Sequence, residues 1–236
     1  MGLFDFIKRK QSLLQSGVLQ GATDRHSHIL FGVDDGVKNM EESLKILSYG
    51  ELLGVKEWWC TPHVMEDCAN STADLQARFA ELCEAYKGPI KLRLAAEYML
   101  DTVFEQRLKD RDLLTMEDDI LLVEASVMAE PYDMDGMLKD IMSAGYRPLL
   151  AHPERYRYLD TKDYDRLHEI GVLFQLNLGS VTGYYGESAL KKARNILDKG
   201  WYTFAGSDCH RLSSIQRQYG QPSVKRAVIK QIRTIL

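Results

Sequence analysis

The chain has 236 residues, 30 Lys and Arg against 34 Asp and Glu, a formal net charge of −4, and 45% hydrophobic residues. That length suffices for one large α/β core, and mixed-sign charge without basic or acidic blocks excludes a nucleic-acid track or an anionic membrane as the main partner. The four cysteines, Cys60, Cys68, Cys83 and Cys209, form no Cys-x-x-Cys pair, which argues against a disulfide scaffold and fits a reducing cytoplasm.

Residues 1–20 read as an N-terminal extension, a frayed or peripheral amphipathic helix, and residues 21–236 as one domain. The first ten residues place their charges after a short apolar run, the reverse of a signal peptide, and no later run is long enough to span a bilayer. From residue 21 on, β-prone runs alternate with segments of helical period, which predicts about seven βα units and a mostly parallel sheet or barrel. The first strand ends at His28. A helix over 40–53 carries Met40, Leu44, Leu47 and Leu52 on one face and stops at Gly54. A strand over 55–60 runs into Thr61, Pro62 and His63, and a helix over 72–86 faces the core with Leu75, Phe79, Leu82 and Tyr86. Strands over 91–96 and 120–123 deliver Glu97 and Glu124. After a helix over 133–144, a strand over 147–151 delivers His152. A helix over 162–170 precedes a strand over 172–176 that ends at Asn177. A helix over 187–199 leads to a strand over 201–205 and then to Ser207, Asp208, Cys209 and His210; a C-terminal helix after Pro222 carries Val224, Val228 and Ile232.

His26, His28, His63, Glu97, Glu124, His152, Asp208 and His210 therefore all lie at or just past the C-terminal end of a predicted strand, the rim where α/β folds build sites. Two histidines in one strand also fit a polar surface, but five of the chain's six histidines at such positions point to one shared site. His168, on a helix, reads as background. Imidazole and carboxylate without thiolate suit manganese, iron, zinc or cobalt, and the carboxylates Asp35, Glu97, Glu124 and Asp208 allow one side chain to bridge two ions. Three divalent ions would leave such a site positive and attractive to a phosphate ester. Asp34, beside Gly36, reads as a turn residue.

The motifs at 26–36 (His-Ser-His-Ile-Leu-Phe-Gly-Val-Asp-Asp-Gly), 61–63 (Thr-Pro-His), 96–98 (Ala-Glu-Tyr), 151–156 (Ala-His-Pro-Glu-Arg-Tyr) and 207–210 (Ser-Asp-Cys-His) carry a resemblance. The sequence resembles the polymerase-and-histidinol-phosphatase (PHP) superfamily, and within it is similar to the bacterial metal-dependent protein-tyrosine phosphatases of capsule and exopolysaccharide loci. The resemblance implies a single-domain, distorted seven-stranded β/α barrel of the PHP type with three metal ions, usually manganese. One ion would bind His26, His28, Glu97 and Asp208, a second Glu97, Glu124 and His152, and a third Asp35, His63 and His210. It further implies hydrolysis of phosphotyrosine on a protein, with a bacterial tyrosine kinase as partner, Asp208 and His210 in the catalytic centre, and Arg155 holding the phosphoryl oxygens. Arg211 is a second candidate for the substrate. Ile215 and Arg217 stand where some relatives have a further arginine. A histidinol-phosphate-type phosphatase and a weakly active, metal-bound kinase-binding partner are the competing readings. Tyr184 and Tyr185 fit loop packing or stacking on a phosphotyrosine ring. Arg25 is expected to point into the sheet–helix layer, where relatives have an apolar residue, so Arg25→Ile is expected to be neutral or stabilising.

Overall fold

The computed structural model describes residues 10–221 and 223–236; the expectations for residues 1–9 and Pro222 lie outside the described residues. Lys10–Gln11 (β1) pairs antiparallel with Val224–Lys225, and Leu13, Val18 and Leu19 are buried in the main core. Burying these apolar side chains ties the segment to the body of the fold.

The strands that follow are Thr23–Asp24 (β2), Glu57–Cys60 (β3), His63–Val64 (β4), Lys91–Leu94 (β5), Glu97–Met99 (β6), Ile120–Glu124 (β7), Arg147–Ala151 (β8), Leu173–Asn177 (β9), Tyr202–Gly206 (β10) and Val224–Lys225 (β11). A six-stranded sheet runs in the order β10-β9-β8-β7-β6-β4 and a three-stranded sheet in the order β2-β3-β5, all parallel. The two-residue steps Thr61-Pro62 and Ala95-Ala96 separate β3 from β4 and β5 from β6. Pro62 has no N–H to offer a ladder, so the chain changes sheets there. The stretch after β2 lies between two neighbours: the main-chain N–H of Thr61 donates to Ser27 (2.8 Å), that of Asp208 to His26 (2.8 Å), and that of His28 to Cys209 (2.9 Å). The result is a single-domain mixed α/β fold of parallel sheets covered by helices.

The helices form for local reasons. Asn39 caps Met40–Leu53 by accepting from the Glu42 N–H, and Gly54 ends it in the left-handed conformation. Its buried face is Ser43, Ile46, Leu47, Gly50 and Leu53. Leu52, expected to face the core, is 84% exposed, because the true stripe is rotated by one position. Asp160 and Asp163 form a reciprocal capping box at the start of Thr161–Glu169. The helices Thr102–Asp110, Leu178–Thr182 and Leu212–Gly220 were not expected from sequence.

Strand alternation aims the site. Along β7, Leu121 and Val123 join the main core, whereas Ile120 and Leu122 join an inner cluster with Trp59, Ala95, Met116, Leu149 and Ala151. Two residues beyond Leu122 on that inner face is Glu124, as Glu97 follows Ala95. The inner apolar cluster is the floor on which the strand-end side chains stand.

Candidate metal centre

The imidazoles of His26 and His28 are fully buried, with their Nε2 atoms 3.1 Å apart. His26 Nδ1 faces the Gln175 side-chain oxygen at 3.1 Å, and His28 Nδ1 faces Asp34 Oδ2 at 2.8 Å. Both partners only accept, so each Nδ1 carries a proton and each Nε2 is the nitrogen left to face Glu97 and Asp208, where a cation would take its lone pair. Glu97 Oε2 lies 3.2 and 3.3 Å from these two nitrogens, and Asp208 Oδ1 lies 3.7 and 3.4 Å away. Four acceptors converging on one point make a donor set for a cation.

Two further groupings adjoin it. His63 Nδ1 is 3.0 Å from Glu124 Oε1 and 3.1 Å from Glu97 Oε2, and its Nε2 is 3.5 Å from Asp35 Oδ1. His210 Nε2 is 3.2 Å from the same Asp35 oxygen, with its Nδ1 3.0 Å from the Asp208 carbonyl. His152 Nε2 is 3.2 Å from Glu97 Oε1 and 3.7 Å from Glu124 Oε2. Glu97 thus stands between the groupings. Both its oxygens are buried without a hydrogen-bond donor among the described residues, as are His63 Nδ1 and His152 Nδ1. A buried carboxylate with no donor is costly unless a cation neutralises it. The residues present therefore fit divalent ions bound through nitrogen and oxygen. The expected ligands His26, His28, Asp35, His63, Glu97, Glu124, His152, Asp208 and His210 are all brought together here.

The electrostatics carry the same message. Burial and the neighbouring His28 disfavour charge on His63, yet the Glu124 and Glu97 carboxylates beside it push its pKa up to about 10. Burial opposes ionisation of Asp208, but His26, His28, His152 and Arg155 hold its carboxyl far below the usual range. The site opens at Asp35, whose side chain is 72% exposed, while Glu97 is sealed at its base.

The supporting shell was only partly foreseen. Asp34 is no mere turn residue: besides His28, it accepts from the main-chain N–H of His63 (3.1 Å) and of Gly36 (2.9 Å). Gln175, not singled out from sequence, fixes the His26 ring; the available signal was a polar residue inside the apolar run 172–176. Asp24 lies beneath, accepting from the main-chain N–H of His26 (3.2 Å) and of Ser207 (2.9 Å), and burial pushes its pKa up to about 6. Asn177 donates to Asp208 Oδ2 (2.9 Å), and Arg155 donates to the same oxygen (2.6 Å). His152 and Asp208 hold positive φ values of 35° and 53°, backbone strain located at two of the ligands. Gly206 is required where β10 passes the His26 main chain, because a Cβ there would collide with His26 and Gln175.

Arg155 is stacked over the Tyr185 ring, 4.4 Å from guanidinium carbon to ring centroid, and Arg217 lies 5.7 Å from the Tyr184 centroid. The two rings thus serve arginines. Ile215 is buried, and Arg211 is exposed at the edge of a cavity of about 350 Å³ that includes Gly36, Lys38 and Ile46. Arg25 lies 4.1 Å over Phe204, which packs on the inner cluster, with Glu117 Oε1 3.7 Å away; it does not enter the sheet–helix layer. His168 stacks on Trp201 at 4.4 Å, away from the site.

An α/β fold with clustered imidazoles and carboxylates at its strand ends makes a domain whose donor set fits divalent metal. The chain belongs to the CpsB/CapC family of capsular polysaccharide synthesis, whose sequence profile it matches over residues 22–233. It is 28% identical to the tyrosine-protein phosphatase CpsB of Streptococcus pneumoniae, over 90% of this chain and 97% of that protein. It is 24% identical to the tyrosine-protein phosphatase YwqE of Bacillus subtilis, over 81% of this chain and 78% of that protein. Among solved structures, one from a study of YwqE and CpsB, described as metal-dependent tyrosine phosphatases, aligns with a TM-score of 0.75 at 22% identity, covering 90% of this chain and 94% of that one. A zinc-bound amidohydrolase from Burkholderia ambifaria aligns at 0.51 and 12% identity, covering 92% and 84%.

Proposed function

We propose that the chain is a metal-dependent phosphotyrosine-protein phosphatase whose substrate is a bacterial tyrosine kinase of capsule or exopolysaccharide assembly. The observation that carries the reading is the pair of His Nε2 lone pairs 3.1 Å apart facing Glu97 and Asp208. The tyrosine-protein phosphatases among its relatives support the substrate class. Three ions, manganese foremost, would be held by His26, His28, Glu97 and Asp208, by Glu97, Glu124 and His152, and by Asp35, His63 and His210. Bound divalent ions supply positive charge for the phosphoryl oxygens and acidify a water molecule.

The chain's own residues do the rest. Asp208 divides its carboxylate, Oδ1 toward the histidines and Oδ2 toward Arg155 and Asn177. Arg155 is thereby held beside the centre, where its guanidinium fork grips phosphoryl oxygens. His210 keeps its Nδ1 on the Asp208 carbonyl and offers Nε2 beside Asp35 at the mouth. Arg211, at that exposed edge, meets the incoming substrate. The barrel reading draws support from the main-chain bonds of residues 26–28 to residue 61 on one side and residues 208–209 on the other. Residues 21–236 are the phosphatase domain, and of the 1–20 extension the part from residue 10 on packs into its core. No helix among the described residues is long and apolar enough to cross a membrane, and the cysteine pattern supports a cytoplasmic site of action.

The test is release of phosphate from phosphotyrosyl peptides with added manganese and with chelator, alongside histidinol phosphate. Metal-dependent turnover of the peptides alone is expected. Turnover of histidinol phosphate alone, or none with metal, refutes the reading.

A further inference from the structure

Arg155 also lines a cavity of about 490 Å³ between the turn Pro153–Arg155 and the helix Gly186–Lys199. Val127 and Met128 form one wall, and the charged side chains on it are Glu154, Arg155, Arg157, Glu187 and Lys192. Their commitments differ. Arg155 is engaged with Asp208 and Tyr185. Glu154 is buried, turned inward to the Asn177 N–H and the Tyr202 hydroxyl. Glu187 is exposed and pairs loosely with Lys191 at 4.0 Å. Lys192 donates to the main-chain oxygen of Tyr156 (2.6 Å), and Arg157 is exposed. Among the described residues, no carboxylate lies within ion-pair distance of Arg157 or Lys192. The cavity therefore presents two cations without an ion-pair partner among the described residues, Lys192 feeling Asp160 and Asp163 only at longer range. Of the five large hydrophobic side chains left exposed among the described residues, Met128 is on its wall and Tyr184 adjoins Tyr185 on its lining.

We infer that this cavity is a subsite for an acidic side chain next to the phosphotyrosine. The inference rests on the phosphatase reading. A phosphoryl group gripped by Arg155 fixes the peptide at the cavity's edge, so a neighbouring residue enters it. The aliphatic part of a glutamate meets Val127 and Met128, and its carboxylate meets Arg157 and Lys192. Substrates of this chain are thus acidic around the target tyrosine, although the chain itself carries a net charge of −4.

The experiment compares phosphotyrosyl peptides that differ only by Glu, Ala or Lys beside the phosphotyrosine, with the manganese-loaded full chain. kcat/KM is read alongside binding of matched non-hydrolysable phosphonate peptides by anisotropy. Wild type should prefer the Glu peptide over the Ala peptide by about 2–5-fold, the scale of solvent-exposed ion pairs, and lose the preference at high salt. Arg157→Ala should bring the ratio near one, and Arg157→Glu should invert it toward the Lys peptide. Because each variant is judged by a ratio between peptides, a general loss of activity cannot imitate the result. A wild-type ratio of one, or a ratio untouched by Arg157→Glu, overturns the subsite. If no phosphotyrosyl peptide is hydrolysed, the phosphatase reading fails, and the phosphonate peptides still decide whether the cavity selects acidic residues.

Discussion

Asp34→Ala should cripple metal binding although Asp34 touches no proposed ion. Its carboxylate is buried and serves three donors: Oδ2 takes the His28 ring proton at 2.8 Å and the His63 N–H at 3.1 Å, and Oδ1 takes the Gly36 N–H at 2.9 Å. Removing it frees the His28 ring to rotate or to move its proton to Nε2, which would block ligation. Loss of such a partner costs about 10–100-fold in metal affinity, or roughly 1.4–2.8 kcal/mol. The two main-chain N–H groups left behind cost the fold about 1–3 kcal/mol each. Asp34→Asn is gentler, because an amide oxygen placed at Oδ2 keeps both the His28 and the His63 bonds and loses only that to Gly36. Calorimetric titration of manganese into metal-stripped protein should show Asp34→Ala weaker than wild type by at least tenfold and Asp34→Asn by less than tenfold. Wild-type affinity in Asp34→Ala, or equal losses in both variants, would refute the argument that the His28 tautomer is what Asp34 controls.

Arg155→Ala should lower kcat/KM for a phosphotyrosyl peptide by about 10–150-fold, the value of roughly 1.5–3 kcal/mol for hydrogen bonds to a charged group, and Arg155→Lys should recover little of it. Tyr185→Phe should keep KM near wild type while Tyr185→Leu raises it, since the ring face is what carries Arg155; steady-state kinetics of the pair decide. Arg25→Ile should change stability by less than about 1 kcal/mol, because the cation–π contact and the loose pair with Glu117 are offset by a buried Nε without a partner; a melting shift beyond about 4 °C would show otherwise. Saturating divalent metal should raise the melting temperature over chelator-treated protein by about 5–10 °C, the effect of roughly 2.7 kcal/mol at a hundredfold excess over Kd, and an unchanged melt would argue against a built-in metal centre.

The strand ends were legible because the continuous apolar runs of buried parallel strands stop abruptly at polar ligands. Arg147–Ala151 coincides with its expected strand, and Ile120–Glu124 differs by one residue. What sequence concealed was the step inside the second and third strands: nothing local distinguishes Ala95-Ala96 from strand, and only the change of neighbour makes β5 and β6 members of different sheets. The ligand set was readable for the same reason as the strands, whereas Asp34 and Gln175 act through an imidazole's second nitrogen, a relation invisible until ring orientations are known. Arg25 was misplaced because strict alternation was extended across a stretch bonded to both neighbours, where the chain no longer pleats regularly.

The main-chain bonds that clamp residues 26–28 against residues 61 and 208–209 have a kinetic side. One wall of the centre comes from near the start of the chain and another from near its end. The ladder between them closes only after almost everything in between has been made and folded, and pairings this distant in sequence are slow to form. The early histidines, His26 and His28, therefore meet their late partners Asp208 and His210 only when that seam closes. Release of metal under mild stress should report the opening of that final seam before the rest of the structure gives way.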